Sequence, residues 1–378
     1  MKVLHVVNVS FVLPYYLGEQ INYFKSKNIN VSIACSDSDE LHNFCNKYCI
    51  KAIPLNIRRN FDLFSDLYSI YILFRIINTE KFDVIIGHTP KGALIAMVSS
   101  YLLRIKKRVY FRHGLMYETS RGLKRHLLIY VEKLTSFLAT DVVCVSNSVL
   151  HHSIKNNLTT KNKCSILHNG TCNGIDSNVQ FNPYLIDDIK RDLIRKDLNI
   201  SNNDFVVGFV GRLVKDKGVN ELIEAWKLFL SKQINIKLLI LGPSEDRDPI
   251  DTKTLDFIHS EKSIIYVGEV THPEIYYSIF DVLILPSYRE GFPTVVLEAS
   301  SMLLPIITTK NTGCIDSIIE NKTGIFCEIN AESITKSINY YLKNPNIRNS
   351  HGKNGRSFVI NNFNQYKIWD KIIDLIKK

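Results

Sequence analysis

The sequence predicts an α/β protein made of two Rossmann-like, doubly wound domains facing a cleft. Three observations carry that prediction. The 378 residues exceed what one hydrophobic core usually organises, so about two domains are expected. Short β-branched runs alternate with longer amphipathic stretches, the pattern of parallel strands joined by crossover helices. The alternation lapses once, after Leu167, and restarts at Phe205, so the boundary falls within 168–204. The domains are expected at 1–180 and 181–360, with 361–378 as a terminal helix that crosses back to the first domain.

The elements follow in order. "KVLHVVNV" contains His5 and Asn8 and is not followed by a small-residue cleavage site, so it reads as a buried strand, not a leader. "VSIAC", "DVIIGH", "RVYFRH" and "DVVCVS" are the further strands of the first half. "FVVGFVG", "IKLLILG", "SIIYVG", "DVLILPS" and "PIITT" are those of the second. Near-continuous apolar runs of this kind suit parallel strands covered on both faces. Helices are expected at 61–79, 91–104, 121–138, 218–230 and 331–343. The last segment, "NQYKIWDKIIDLIKK", is amphipathic around Trp369 and reads as a packed helix. In doubly wound sheets ligands sit at the carboxyl ends of the strands, so the chemistry is sought there.

Composition narrows the class. With 45% hydrophobic and 22% charged residues the chain reads as soluble and globular. No apolar run approaches ~18 residues, so no transmembrane helix is expected. None of the eight cysteines forms a Cys-x-x-Cys pair, and they read as reduced, buried thiols of a cytoplasmic protein. The net charge of +10 is one-sided. Residues 1–180 hold 22 Lys/Arg against 12 Asp/Glu, whereas 181–378 hold 25 against 25. Clusters lie at Arg58/Arg59, "RIKKR" (104–108) and "RGLKRH" (121–126). Such a domain suits an anionic partner, either lipid headgroups, a diphosphate or nucleic acid, or else presents a solvated Lys-rich face. No helix-turn-helix, RRM or zinc pattern accompanies the charge, so no nucleic acid is expected. The 61–79 helix is apolar beyond one face, which fits either a core or a bilayer interface.

Two loops of the second half concentrate functional residues. In "FVVGFVGRLVKDKGVNELIEAW" a strand ends at Gly211, Arg212 and Lys217 follow, and a helix begins near Gly218. Two cations beside a helix start suit a diphosphate, or are simply a solvated loop. The spacing is neither that of a phosphate-binding loop of the Walker type nor G-x-G-x-x-G. In "LPSYREGFPTVVLEAS" Glu290 lies in the loop, Pro293 suits the first helical turn, and Glu298 lies about one turn inside the helix. Free backbone N–H groups of 292–295 would form an anion cradle. The alternative is that both glutamates are surface charges.

Glu290 and Glu298 separated by "GFPTVVL", the Gly-Arg…Lys-Gly loop at 208–218, "VGEV" at 267–270, "LPSYREGFP" and "NGID" at 173–176 together resemble the retaining GT-B glycosyltransferases. More narrowly, the chain resembles glycosyltransferase family 4, over nearly its whole length. The resemblance implies that Gly211, Arg212 and Lys217 hold the nucleotide diphosphate as leaving group. It implies that Glu290 contacts the donor sugar and Glu298 the ribose hydroxyls. Gly291, Phe292, Pro293, Thr294 and Val295 would offer backbone to the β-phosphate or sugar, and Gly268 and Val270 would touch the base. Positive charge at the leaving group then replaces a metal. The two Asp-x-Asp matches, "DSD" (37–39) and "DRD" (246–248), are read as chance, so no metal and no cofactor are expected. The resemblance also implies retention of anomeric configuration, with the donor phosphate helping to deprotonate the acceptor.

The first half is expected to hold the acceptor. His113, at a strand end that family relatives place at the acceptor/donor junction, orients the sugar or the attacking hydroxyl, or is a core histidine. His88, Lys91 and the helix start in "GHTPKGAL" contact an acceptor diphosphate. Gly18 stands where the family has a glycine near the donor phosphate, although the usual Gly-Gly is here "LGEQ". The expected function is transfer of a hexose or N-acetylhexosamine from a UDP-sugar to an undecaprenyl-diphosphate-linked saccharide, for O-antigen or capsule. The enzyme would work at an anionic membrane surface on the cytoplasmic side. The alternatives are a UDP-sugar 2-epimerase or phosphorylase of the same fold, or a non-catalytic sugar-nucleotide-binding protein.

Overall fold

A computed structural model describes residues 1–58, 62–230, 235–246 and 248–378. Arg59 of the first basic cluster, the expected helix start at residue 61 and Arg247 of "DRD" lie outside them. The chain divides into two compact units, 1–174 with 365–378, and 175–364. The expected bounds at 180 and 360 lie a few residues from these divisions.

The first unit is built on seven parallel strands. They are β1 (Lys2–Val6), β2 (Asn30–Ser36), β3 (Lys51–Leu55), β4 (Val84–His88), β5 (Lys107–Arg112), β6 (Asp141–Cys144) and β7 (Cys164–Ile166). Their order is β3-β2-β1-β4-β5-β6-β7. The connections run outward from β1 in one direction and from β4 in the other, so the β1/β4 junction is a topological switch point. Register places Leu4 beside both Ser32 and Ile85. All five residues of β4 are buried, which explains why "DVIIGH" shows no alternation.

The four helices Leu63–Glu80, Pro90–Leu102, Gly122–Leu138 and Asn147–Lys155 follow strands that step the same way across the sheet. Right-handed crossovers therefore put them on one face. Leu63–Glu80 starts where Asp62 accepts a hydrogen bond from the Ser65 N–H, a side-chain cap that satisfies an otherwise orphaned donor. It buries Ser69, Leu73 and Ile77 at i, i+4, i+8 and leaves Leu63, Phe64, Leu67, Tyr68 and Tyr71 exposed. The terminal helix Gln365–Lys377 belongs to this unit as well. It buries Ile368, Trp369, Ile372, Ile373 and Ile376, and the Trp369 indole N–H donates to Asn173 Oδ1 at 2.8 Å.

The second unit carries β8 (Phe205–Val210), β9 (Ile236–Leu241), β10 (Ile264–Gly268), β11 (Val282–Leu285), β12 (Ile306–Thr308) and β13 (Gly324–Phe326). Their order, β10-β9-β8-β11-β12-β13, puts a second switch point between β8 and β11. Val207 lies beside Val282 and Gly208 beside Leu283. Three strands, β3, β7 and β13, are absent from the sequence reading. All three are sheet edges, and β7 and β13 have only three residues each. β3 carries Pro54, which a parallel sheet tolerates at an edge. All eight cysteines are free thiols.

Candidate active site

The second switch point collects the residues read from the two loops. β8 ends at Val210 and delivers Gly211 and Arg212; β11 ends at Leu285 and delivers Ser287 to Glu290. Gly218 brings the loops together. Its φ of +70° suits glycine, and a Cβ there would lie 2.2 Å from the Pro286 carbonyl oxygen. This close approach sets Lys217 against the β11 loop. Lys217 Nζ contacts Glu290 Oε1 at 2.5 Å, and the Ser287 hydroxyl donates to the same oxygen at 2.7 Å. Both side chains of the ion pair are mostly buried, 18% and 12% exposed, so solvent screens the contact weakly. Arg289 and Asp216 form a second link between the loops at 2.5 Å, and the Tyr288 N–H donates to the Asp216 carbonyl. Arg212 is ion-paired with Glu245.

The helix Thr294–Ser301 begins one residue later than expected. Pro293 is its N-cap, and no side chain among the described residues caps it. Phe292 is buried, and its ring lies 5.2 Å from that of Phe363. Gly291, Thr294 and Val295 are half-buried beside it. Glu298 is buried within the helix, where it accepts a hydrogen bond of 2.8 Å from the Tyr277 hydroxyl. Burial pushes its carboxyl up to about 7; the Tyr277 bond opposes the shift and the Glu274 charge adds to it. Gly268 closes β10 with φ +84° and Val270 follows it, both half-buried.

The residues expected to meet the acceptor are placed differently. Lys91 is buried, with its Nζ 2.7 Å from Asp66 Oδ1 and 2.6 Å from the Arg58 carbonyl. The ammonium therefore ties the helix Pro90–Leu102 to the helix Leu63–Glu80. Gly18 is also buried, in the turn before the helix Gln20–Ser26, with φ +43°. A Cβ there would lie 2.8 Å from the Pro14 carbonyl oxygen, so the turn itself requires glycine. His88 is 2% exposed. It hydrogen-bonds to His5 and His113, each at 2.9 Å. Tyr16 stacks on the His113 ring at 3.7 Å with an interplanar angle of 4°. Burial lowers His5 and His113 to about 3 and His88 well below its usual range, so all three rings are neutral.

A pocket of about 280 Å³, lined by Asn8, Ser10, Phe11, Ser36, Glu40 and Ile57 among others, opens at the carboxyl ends of β1 and β2. Nothing in the motif pattern signals it, because its lining comes from separate loops. The "DSD" residues do structural work. Asp37 pairs with His42, Ser38 caps the helix Asp39–Lys47, and Asp39 lies in its first turn. The Asp248 carboxylate accepts the Asp216 N–H. Among the described residues no three His, Cys, Asp or Glu side chains cluster as a metal site.

Residues 190–358 match the family described as glycosyl transferases group 1, and residues 2–148 match glycosyl transferase 4-like. The capsular polysaccharide biosynthesis glycosyltransferase CapM of Staphylococcus aureus is 35% identical over 98% of this chain and 95% of its own. An Escherichia coli UDP-Gal:α-D-GlcNAc-diphosphoundecaprenol α-1,3-galactosyltransferase is 25% identical over 94% and 91%. Among solved structures, Anabaena HepE in complex with UDP and glucose superposes with a TM-score of 0.82 at 16% identity, covering all of both chains. The two parallel sheets and their switch points are thus those of the GT-B fold.

Proposed function

From the premise that this chain belongs to the glycosyltransferases matched by the group 1 and 4-like families, we propose that it moves a hexose or N-acetylhexosamine from a UDP-sugar to an undecaprenyl-diphosphate-linked saccharide. The observation that carries this reading is the Lys217–Glu290 contact at the β8/β11 switch point. It holds a cation where a diphosphate leaves and a carboxylate where sugar hydroxyls need orienting. The bond from the anomeric carbon to the diphosphate oxygen breaks, and one to the acceptor oxygen forms on the same face. The acceptor proton passes to a donor phosphate oxygen. Lys217 has three N–H donors and Arg212 five, so each can keep its carboxylate partner and still grip the diphosphate. Their charge, with the Thr294 helix start, stabilises the leaving group without a metal. The lipid-linked acceptor and the UDP donor are supported by the E. coli relative, whose name specifies both, and the capsule role by CapM. The test is a panel of UDP-, GDP- and dTDP-sugars, with and without EDTA, read by thermal shift and nucleotide release. One UDP-sugar responding equally in EDTA supports the reading; selective response to another nucleotide, or its loss in EDTA, contradicts it.

Glu298 makes donor binding pH-dependent. Its ionised form accepts both ribose hydroxyls, and that form dominates only above about 7. UDP-sugar affinity is expected to rise about tenfold from pH 6 to pH 8 in calorimetry, and Glu298→Gln to flatten the rise. A flat wild-type profile would remove Glu298 from the ribose.

The acceptor is brought by a membrane surface, in this reading. No helix among the described residues is long and apolar enough to cross a membrane. The helix Gly122–Leu138 exposes Leu123, Leu127, Tyr130 and Phe137, and its first turn has no acidic residue. Arg121, Lys124 and Arg125 there repel the positive helix end, a cost that an anionic headgroup offsets. With Leu63, Phe64 and Leu67 on the same face of the sheet, these side chains suit an anionic bilayer. The protein should float with vesicles containing anionic lipid, and Phe64→Glu with Leu123→Glu should abolish flotation. Wild-type protein remaining with the unbound fraction would contradict this.

A further inference from the structure

Three histidines of the first unit, His5, His88 and His113, form a row. His5 lies in β1, His88 ends β4 and His113 follows β5. The order β1-β4-β5 makes these strands neighbours, so three rings far apart in sequence meet at one switch point. His5 Nδ1 faces His88 Nε2, and His88 Nδ1 faces His113 Nε2, both at 2.9 Å. The rings are near-parallel, with interplanar angles of 17° and 30°. Phe111 and Tyr16 pack against them and hold their planes.

A neutral imidazole carries one N–H, so each contact needs a donor ring and an acceptor ring. Only two arrangements satisfy both contacts. In the first every proton is on Nδ1: His5 donates to His88, His88 donates to His113, and His113 presents Nδ1–H. In the second every proton is on Nε2, and His113 presents a bare Nδ1. The two ends of the row differ. His5 is 2% exposed, and its Nε2 has no hydrogen-bond partner among the described residues. His113 is half-buried, the more open end. The first arrangement leaves a lone pair unmet in the core; the second leaves an N–H unmet there, which folded proteins avoid more strictly.

We propose that His5 and His88 are positioning residues that lock His113 in its Nδ1–H tautomer, so that His113 acts as a fixed hydrogen-bond donor to a substrate oxygen. Neither base nor proton conduit is built here. The lone pair of His113 is taken by His88, and the other end of the row is sealed. A donor of fixed direction costs no reorganisation when charge develops on the oxygen it meets. The substrate contact rests on the transferase reading above; the tautomer does not.

The first test is the nitrogen-15 spectrum of histidine-labelled full-length protein, assigned with His113→Asn. Nδ1 of His113 should show the shift of a protonated nitrogen and Nε2 that of a bare one; the reverse, or an averaged pair, overturns the proposal. The second test uses His88. His88→Phe removes the donor and should lower kcat about tenfold with donor KM little changed, as for other groups that orient a reacting side chain. His88→Asn places an amide N–H near the lost Nδ1 and should restore most of the rate. Equal rates in wild type and a folded His88→Phe protein would overturn the positioning role. Should His88→Phe not fold, the wild-type spectrum still decides. An Nδ1–H signal in a protein that transfers no sugar would keep the lock and reject the transferase reading instead.

Discussion

Lys217→Ala is expected to lower sugar transfer by about 10²–10³-fold, the loss seen when one donor aimed at developing negative charge is removed. In the proposed reaction the leaving diphosphate gains charge as the glycosyl bond breaks, and Lys217 is held by Glu290 and Ser287 in a mostly buried loop. Removing the ammonium also leaves the Glu290 carboxylate unpaired in that environment, where like charge would repel the incoming diphosphate. Donor binding should therefore weaken together with turnover. Lys217→Arg keeps the charge but its planar fork cannot occupy the same point contact, so rescue should be partial. Steady-state kinetics with circular dichroism on each variant checks this. Wild-type turnover in a folded Lys217→Ala protein would remove the site from the β8/β11 switch point.

Glu290→Ala is expected to cost about as much, by a different route. The carboxylate orients Lys217 and, in the proposed reading, the donor sugar. Its loss should lower kcat about 10²-fold or more, the scale on which misplacing a reacting group is felt. Glu290→Gln separates the two roles. The amide can still accept one hydrogen bond from a sugar hydroxyl but no longer forms an ion pair with Lys217. If Glu290 acts chiefly as the counter-ion, Gln and Ala should fall equally; if it orients sugar, Gln should retain more activity. Near-normal activity in Glu290→Ala contradicts both roles. Measuring kcat and KM for all three proteins distinguishes these outcomes.

How much of this was legible in the sequence depends on how locally each feature is encoded. The helices at 91–104, 121–138 and 331–343 are found at Pro90–Leu102, Gly122–Leu138 and Ala331–Lys343, because a long run of helix-compatible residues is written within each segment. The edge strand Gly324–Phe326 is three residues long and carries no periodicity to read. The two candidate loops of the second unit stood out because they carry a dense pattern of Gly, Lys, Arg and Glu. The partner choices did not. That Lys217 meets Glu290 depends on the Gly218–Pro286 approach, and that Lys91 meets Asp66 depends on how two helices pack. The histidine row needed the strand order itself. "KVLHVV", "VIIGH" and "YFRH" each place a histidine in or just after a strand, and only the order β1-β4-β5 reveals that the three are neighbours.

The proposed retaining transfer from a UDP-sugar to a prenyl-diphosphate-linked saccharide leaves its mark in the anomeric configuration of the product. The most direct measurement is proton NMR of the product made from an α-configured UDP-sugar and a synthetic prenyl-diphosphate-linked sugar acceptor, in EDTA. An α-linked product, formed only when the diphosphate-linked acceptor is present, is the predicted result. A β-linked product would contradict the same-face mechanism at Lys217 and Glu290, and transfer that requires added metal would contradict the charge-based account of the leaving group.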